Sequence, residues 1–249
     1  MQYARSLLFN IQMYVMLAIM GIGFFPLALA SPRGAAFACK TYCRWVRWTA
    51  GWMVGLKTEV RGPVPQGEVM VAAKHQSFLD IIMIYSALPA AKFIMKRELL
   101  WSPVVGQYAA RIGCVPVARG KRGAAIKKMV ADVAAGMAKP GQLVIYPQGT
   151  RVAPNRYLPY KVGSHVLYAE LAQPCVPAAT NVGVFWPRHG VLRKPGLAVV
   201  EFLPPIPTGL ARRDFLERLE DTIERRSIAL MQEAGFHDFP EEYRALTSS

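Results

Sequence analysis

Two long apolar segments open the chain, and short strands alternating with helices follow them. Residues 7–30 are almost entirely apolar, interrupted by the polar side chains of Asn10 and Gln12. A second helical pattern extends from about residue 36 to 56. After a loop at 61–67, short apolar runs alternate with helical periodicity. This alternation predicts an α/β fold, in which a mixed sheet is flanked by helices.

The predicted strands are apolar runs that end at turn signals. They cover residues 68–73, 91–95, 114–117, 143–146, 175–178 and 197–202. The predicted helices carry apolar positions on one face. They cover residues 78–87, 103–111, 122–138, 163–172 and 211–234. We therefore expect two parts, an N-terminal arm over residues 1–58 and an α/β domain over residues 59–249.

The first apolar segment has two interpretations. Arg5 in front of it and Ala28-Leu29-Ala30 at its end fit a secretory signal peptide. However, the segment exceeds the ~7–15 apolar residues of a signal core and reaches the ~20 residues that cross a bilayer. We favour a retained membrane anchor. Such an anchor either spans the bilayer or forms half of a helical pair that dips into one leaflet.

The second helical pattern has the composition of a helix at a membrane surface. Tryptophans at i, i+3 and i+7 share one face, namely Trp45, Trp48 and Trp52. Positive charge comes from Lys40, Arg44 and Arg47, and no acidic residue precedes Glu59. Tryptophan and arginine together favour the headgroup level of a bilayer, and the positive charge favours the cytoplasmic side. The alternative is that the aromatic stripe packs on the core of the protein itself.

The composition is apolar and strongly basic. Hydrophobic residues make up 53% and charged residues 18% of the chain, and the mean hydropathy is +0.20. The formal net charge of +14 favours an anionic partner: nucleic acid, an anionic bilayer or a phosphorylated substrate. The aromatic residues concentrate in the apolar arm, and no recognition-helix or ribonucleoprotein-type motif occurs. We therefore expect no nucleic-acid partner.

The cysteines and histidines do not have metal-ligand spacing. The cysteines are Cys39, Cys43, Cys114 and Cys175, with no C-x-x-C pair, and no H-E-x-x-H motif occurs among the histidines. We expect reduced cysteines and no bound metal.

His75 and Asp80 are candidates for a base and the group that orients it. On one continuous helix they would be roughly 140° apart, at 3.6 residues per turn. If His75 lies in the turn after a strand and Asp80 in the first turn of the next helix, the carboxylate reaches one ring nitrogen. The other nitrogen is then free to act as a base. The alternative is that Asp80 is only the carboxylate of a Ser77-x-x-Asp80 helix-capping motif.

Two other predicted strands also end in residues that suit an anion. Gly149-Thr150-Arg151 follows the strand at 143–146, and Arg119-Gly120-Lys121 follows the strand at 114–117. Glycine lets the backbone approach a ligand closely, and the planar arginine fork suits phosphate. A single arginine after a strand is usually only solvated. Together with His75, these motifs indicate a phosphorylated ligand beside a base.

In this order, the motifs resemble the four sequence blocks of the glycerolipid acyltransferase family, in particular its bacterial 1-acyl-sn-glycerol-3-phosphate acyltransferase (lysophosphatidate acyltransferase) type. The matching residues are His75 to Asp80, Arg119, Gly149 to Arg151, and Val176-Pro177-Ala178. The resemblance covers roughly residues 60–205, and the N-terminal helices are similar to the two-helix membrane anchor of the bacterial members. The family usually has glutamate before the Gly-Thr-Arg motif, where this chain has Gln148. We expect this change to be tolerated, because a neutral amide beside a phosphate adds no like-charge repulsion.

The resemblance implies roles for individual residues. It implies that His75 and Asp80 form the catalytic dyad. It implies a group that binds the acceptor's phosphate, namely Lys96, Arg119, Gly149, Thr150 and Arg151. Pro177 matches the fourth block, which is associated with the acyl-donor side or with the shape of the site.

The resemblance also implies an activity without a cofactor. An acyl chain passes from acyl-CoA or acyl-carrier protein to the sn-2 hydroxyl of 1-acyl-sn-glycerol-3-phosphate (lysophosphatidic acid), which gives phosphatidic acid. The expected location is an anionic phospholipid membrane, at the cytoplasmic face of a bacterial inner membrane. No G-x-S-x-G motif occurs, so we expect no acyl-serine intermediate. Two alternatives are transfer to another lysolipid such as lyso-ornithine lipid, and a non-catalytic basic module that binds membranes.

Overall fold

A mixed sheet lies at the centre of the protein. The structure, a computed structural model, describes residues 1–102, 104–117, 124, 127, 131 and 141–243. The strands are β1 (Leu56–Arg61), β2 (Met70–Ala73), β3 (Ala91–Lys96), β4 (Val115–Val117), β5 (Gln142–Ile145), β6 (Cys175–Thr180) and β7 (Gly196–Phe202). Among the described residues they form one seven-stranded sheet in the order β1-β7-β6-β2-β5-β3-β4. Neighbouring strands are parallel except β6 and β7.

Helices flank this sheet, which confirms the predicted fold class. They are α1 (Gln2–Gly23), α2 (Phe25–Ala30), α3 (Pro32–Val54), α4 (Leu79–Ala87), α5 (Val105–Arg111), α6 (Gly163–Leu171), α7 (Val182–Phe185) and α8 (Arg212–Glu233), with a 3₁₀ helix at Arg97–Trp101. The predicted helix at 122–138 lies outside the described residues except at positions 124, 127 and 131, which are helical.

Strand β1 is not among the predicted strands. Gly55, at a φ of 74°, ends α3 in the left-handed conformation that favours glycine. The chain then enters β1, which pairs only with β7 at the edge of the sheet. Every second residue of β1 is charged, namely Lys57, Glu59 and Arg61. The apolar signal of this segment is therefore too weak to predict a strand. Strand β1 runs through residue 58, and the division of the chain into arm and domain there stays a prediction.

The core forms on both faces of the sheet because neighbouring residues of a strand point to opposite sides. In β2, Val71 and Ala73 belong to the cluster that includes residues of α3 and α4. Met70 and Ala72 belong to the cluster that includes residues of α6 and α8. β2 therefore lies between two helical layers, and its carboxyl end is held from both sides.

The N-terminal helices pack on the domain and also expose apolar surface. Among the described residues, α1 is the one helix that is long and apolar enough to cross a membrane, with a mean hydropathy of 1.6 over its most apolar stretch. Polar side chains in its first half bind α3 and the domain: Gln2 donates to the carbonyls of Val54 in α3 and Arg193 in the domain, and Asn10 donates to the carbonyl of Val191.

The tryptophan face of α3 divides into inner and outer positions. The indole of Trp45 donates to Gln12 of α1 at 2.9 Å, which places it inside the pair of helices. Trp48 and Trp52 are 60% and 59% exposed. One tryptophan of the stripe therefore packs on the protein and two remain on the surface, and contact of these two with a membrane stays a prediction.

A buried ion pair joins the end of β2 to α8. Lys74, 1% exposed, follows β2 directly, and its Nζ lies 2.7 Å from both carboxylate oxygens of Glu224. Nζ also donates to the hydroxyl of Tyr243, and the hydroxyl of Tyr160 donates to Glu224. Burial lowers the pKa of the Lys74 ammonium, and Glu224 offsets part of that shift. This pair fixes the backbone immediately before His75.

We expect Lys74→Met to destabilise the protein by about 3–5 kcal/mol, because it leaves the Glu224 carboxylate buried without its cation. The matched control is Arg213→Met, since the Arg213–Glu217 pair is exposed and exposed ion pairs contribute little to stability. Urea unfolding in a neutral detergent measures both. Equal losses in the two variants would contradict the structural role of the buried pair.

Candidate active site

His75 and Asp80 meet where β2 gives way to α4. His75 lies in the turn and Asp80 in the first helical turn, where His75 Nδ1 is 2.8 Å from Asp80 Oδ1. The second oxygen, Oδ2, accepts the backbone N–H groups of Gln76 and Ser77, each at 2.8 Å. The fully buried carboxylate thus holds the turn and also orients the imidazole. Because Nδ1–H donates to the carboxylate, Nε2 is the nitrogen that can act as a base.

Tyr146, which follows β5, supports the imidazole from its face. The rings of His75 and Tyr146 stack with centroids 3.9 Å apart and an angle of 19°. The Tyr146 hydroxyl is buried near Asp80 without completing a hydrogen bond to a described group. Burial and the Asp80 carboxylate raise the pKa of this hydroxyl, so it stays protonated. Tyr146 is not among the predicted site residues, although it lies three residues before the Gly-Thr-Arg motif.

The Gly-Thr-Arg motif lies at the same end of the parallel strands as the dyad. Gly149, Thr150 and Arg151 line one cavity together with His75. Gly149 has a φ of 71°, and a Cβ there would lie 2.9 Å from the Nζ of Lys161. This turn therefore requires glycine, which lets a second cation approach the motif.

Gln148, the residue before the Gly-Thr-Arg motif, is part of the support of the loop. Its side chain is buried, and Nε2 donates to the carbonyl of Leu158 at 2.9 Å. Gln148 is not part of the described cavity wall. This side chain holds the loop, and the expectation that glutamine is tolerated beside a phosphate stays a prediction. A carboxylate could not donate this hydrogen bond.

The structure describes the other predicted site residues only in part. Lys96 ends β3 and pairs with Val117 of β4, but its side chain lies outside the described part of the structure, as does the whole of Arg119. Pro177 is buried in β6 opposite Ala72 of β2, and it is not part of the described cavity wall. The fold thus brings the dyad and the Gly-Thr-Arg motif together, whereas Pro177 lies beside β2, the strand that precedes the dyad.

The cavity beside His75 has a volume of about 1210 Å³ and two kinds of wall. One kind carries charge: the basic side chains of Lys127, Arg151, Lys161, Arg188 and Arg193, and the carboxylate of Glu170, which pairs with Lys127. Elsewhere the wall is apolar or aromatic, with residues from α3, α4, β3 and α5 that include Cys39, Tyr85, Phe93, Tyr108 and Ile112. Helix α1 contributes Met13, Leu17 and Met20 to the same wall. Such a cavity suits a molecule with an anionic head and an apolar tail.

Arg193 is a buried cation in this wall and is not a predicted site residue. Its guanidinium lies 4.4 Å from the Trp186 ring and donates to Asn10 of α1 at 3.0 Å. It has no carboxylate partner among the described residues. Burial lowers its pKa to about 10. The sequence signal was the basic segment Arg188 to Lys194, which carries no recognisable motif.

The thiols in the cavity are poor nucleophiles. Burial raises the pKa of Cys39 to about 12 and raises the pKa of Cys114. All four cysteines are free. Among the described residues, no group of three or more histidine, cysteine, aspartate or glutamate side chains could hold a metal ion.

The chain is similar to known proteins in sequence and in fold. The sequence model of the acyltransferase family matches residues 57–181. The chain is 26% identical over 207 residues to the 1-acyl-sn-glycerol-3-phosphate acyltransferase of Pseudomonas aeruginosa, covering 82% of this chain and 80% of that protein. It is 28% identical over 187 residues to the bovine 1-acyl-sn-glycerol-3-phosphate acyltransferase alpha, covering 73% of this chain and 65% of that protein.

A solved structure shows the same fold. The 1-acyl-sn-glycerophosphate (LPA) acyltransferase PlsC from Thermotoga maritima superimposes with a TM-score of 0.75 at 19% identity, covering 92% of this chain and 99% of that chain.

We expect Asp80→Ala to destabilise the protein by about 1–3 kcal/mol for each buried N–H left without an acceptor. Asp80→Asn keeps an oxygen for these groups, so it should lose less. Chemical unfolding of both variants in neutral detergent measures the difference. If the two variants lost equal stability, the backbone contacts of Asp80 would not be what holds this turn.

Proposed function

Because the chain belongs to the acyltransferase family, we propose that it is an O-acyltransferase acting on 1-acyl-sn-glycerol-3-phosphate. It transfers an acyl chain from acyl-CoA or acyl-carrier protein to the sn-2 hydroxyl, which gives phosphatidic acid. The observation that carries the proposal is the position of the dyad. His75, which is held by the buried Asp80, borders a cavity whose wall carries both basic and apolar side chains. The names of the relatives support the acceptor.

The dyad acts by general base catalysis. His75 Nε2 takes the proton of the sn-2 hydroxyl while Asp80 holds Nδ1, so that the imidazolium is stabilised as it forms. The hydroxyl oxygen forms a bond to the thioester carbonyl carbon. The tetrahedral intermediate then expels the thiolate as the carbon–sulfur bond breaks, and the imidazolium returns the proton to the sulfur. No acyl-enzyme is needed.

The basic residues hold the phosphate of the acceptor. Arg151 presents a fork that binds phosphate oxygens in pairs, and Gly149 and Thr150 allow the backbone to approach. Lys161 adds charge at the same turn. Lys96 and Arg119 remain proposed members of this group. Fixing the phosphate places the sn-2 hydroxyl against Nε2, and such positioning lowers the barrier as much as the base does.

The apolar part of the cavity wall accommodates an acyl chain. Side chains from α1 and α3 form part of it, so the arm completes the site as well as contacting lipid. Pro177 is proposed to shape the acyl-donor side through its strand, because it does not line the described cavity. The reaction requires no metal or other cofactor.

We place the enzyme on an anionic phospholipid membrane, at the cytoplasmic face of a bacterial inner membrane. The exposed apolar side of α1 and the exposed Trp48 and Trp52 support contact with the bilayer. Residues 1–58 act as the anchoring arm in this proposal. The lysolipid enters from the leaflet, and the water-soluble thioester enters from the aqueous side.

We expect His75→Ala to lower the rate of acyl transfer by about 10²–10⁴-fold, because the hydroxyl loses its base. Labelled acyl-CoA and lysophosphatidate in mixed micelles, followed by detection of phosphatidate, measure this rate. His237→Ala is the control, since His237 is exposed and does not line the described cavity.

Equal rates in wild type and His75→Ala would overturn the dyad. No transfer by wild type with either thioester donor, to lysophosphatidate or to lyso-ornithine lipid, would favour the non-catalytic membrane module.

We expect Arg151→Ala to raise the KM for lysophosphatidate by roughly 10- to 100-fold, because a charge-assisted hydrogen bond to the phosphate is lost. The KM for acyl-CoA should change little. Arg212→Ala serves as the control, because Arg212 is exposed on α8. Faster transfer to lyso-ornithine lipid than to lysophosphatidate by wild type would instead assign a different acceptor.

A further inference from the structure

A second basic concavity lies on the arm, away from the dyad. It has a volume of about 330 Å³, and its wall comprises Arg44, Arg47, Trp48, Gly51, Lys57 and Thr58. Among the described residues it shares no wall residue with the catalytic cavity. Helix α3 meets the catalytic cavity through Cys39 and Tyr42 and forms this concavity with a different face. The two sites are therefore separate.

Arg47 is a fixed, partly buried cation at this place. Its Nε donates to the Thr58 hydroxyl and its Nη1 to the Ser86 hydroxyl, both at 2.9 Å. These acceptors are neutral, and no described carboxylate forms an ion pair with Arg47. Burial lowers the pKa of its guanidinium. A partly buried charge without a counter-charge is unfavourable, and a bound anion would relieve that cost.

Two further cations complete the concavity. Arg44 and Lys57 are exposed and form no ion pair with a described carboxylate. No acidic residue precedes Glu59 in the chain, and Glu59 is already paired with Arg61 at 3.3 Å. The concavity therefore presents three positive charges without local compensation, an arrangement that suits the several oxygens of a phosphate group.

The surroundings of the concavity indicate which kind of molecule would supply such a phosphate group. Trp48, which is 60% exposed, belongs to the wall of the concavity, and Trp52, 59% exposed, is one helical turn farther along α3. The neighbouring helix α1 exposes large apolar side chains such as Leu7, Leu8 and Ile11. Tryptophan beside arginine and lysine is the composition of the headgroup region of a bilayer. A phosphate held at this level belongs to a lipid.

We propose that Arg44, Arg47 and Lys57 bind the phosphate of an anionic phospholipid, at a headgroup site that is distinct from the catalytic cavity. This goes beyond the proposed function, because the bound lipid is neither acceptor nor product at His75. The site orients the arm on anionic leaflets and holds the mouth of the cavity there. Binding at this site does not depend on acyl transfer, so the catalytically impaired His75→Ala protein should bind such membranes as wild type does.

Matched substitutions test the site on vesicles of phosphatidylcholine with and without phosphatidylglycerol. Arg44→Gln and Lys57→Gln remove ligands but leave Arg47 and its structural hydrogen bonds intact. Arg33→Gln is the control, since Arg33 is an exposed arginine of the same helix and is outside the concavity. Cosedimentation measures affinity, and circular dichroism confirms that each variant is folded.

We expect Arg44→Gln and Lys57→Gln each to weaken binding to the anionic vesicles by roughly 10- to 100-fold, as for a lost charge-assisted hydrogen bond. Arg33→Gln should weaken it by roughly fivefold or less, as for diffuse attraction of one cation to the surface. Equal losses in Arg44→Gln and Arg33→Gln would overturn the site, and so would equal binding of wild type to the neutral vesicles.

A soluble probe separates a lipid site from a site for free phosphate compounds. In detergent-solubilised protein labelled with fluorotryptophan, glycerol phosphate should shift the Trp48 resonance of wild type and of Arg33→Gln, but not that of Arg44→Gln. The resonance is assigned with Trp48→Phe. A shift here without any loss of vesicle binding in Arg44→Gln would overturn the lipid as occupant and assign a free anion instead.

Discussion

The carboxylate of Asp80 is the constraint on which the site depends. It is fully buried and accepts two backbone N–H groups of the turn while its other oxygen meets the imidazole of His75. One group therefore sets both the path of the chain after β2 and the direction of the imidazole. The buried pair of Lys74 and Glu224 secures the same turn from the other side of the sheet. Rigid support of this kind gives a base a single orientation, which general base catalysis requires.

The N-terminal arm forms part of the wall of the candidate site, in addition to its proposed contact with a membrane. Its helices supply apolar wall to the cavity beside His75, and the loop before β7 holds α1 through Gln2, Asn10 and Arg193. An arm that separated from the domain would leave this cavity open. In the proposed function, the same helices face both the lipid and the substrate, so a bilayer-bound acceptor can pass from one to the other without crossing water. The basic concavity on α3 adds a fixed charge to that surface.

Much of the fold was predictable because apolar periodicity directly reflects burial. The strands of the central sheet and the helices that flank it follow the predicted segments within a few residues, where these are described. Strand β1 was not predicted, because it is an edge strand with alternating charges and has no continuous apolar run. In the site, His75, Asp80 and the Gly149-Thr150-Arg151 motif could be predicted from the sequence. Each is a local motif, and local backbone geometry limits which side chains at a given spacing can meet.

Three features follow from the amino-acid sequence without any structure: the class of the fold, the pair that can act as base and orienter, and the basic apolar character of the arm. These are properties of residues close together in the chain, or of average composition. Three contacts are visible only in the folded protein: Tyr146 stacks on His75, Gln148 bonds to Leu158, and Arg193 lies buried against Trp186 and α1. Such contacts join residues from separate elements, and their geometry depends on how those elements pack. No local pattern encodes that packing.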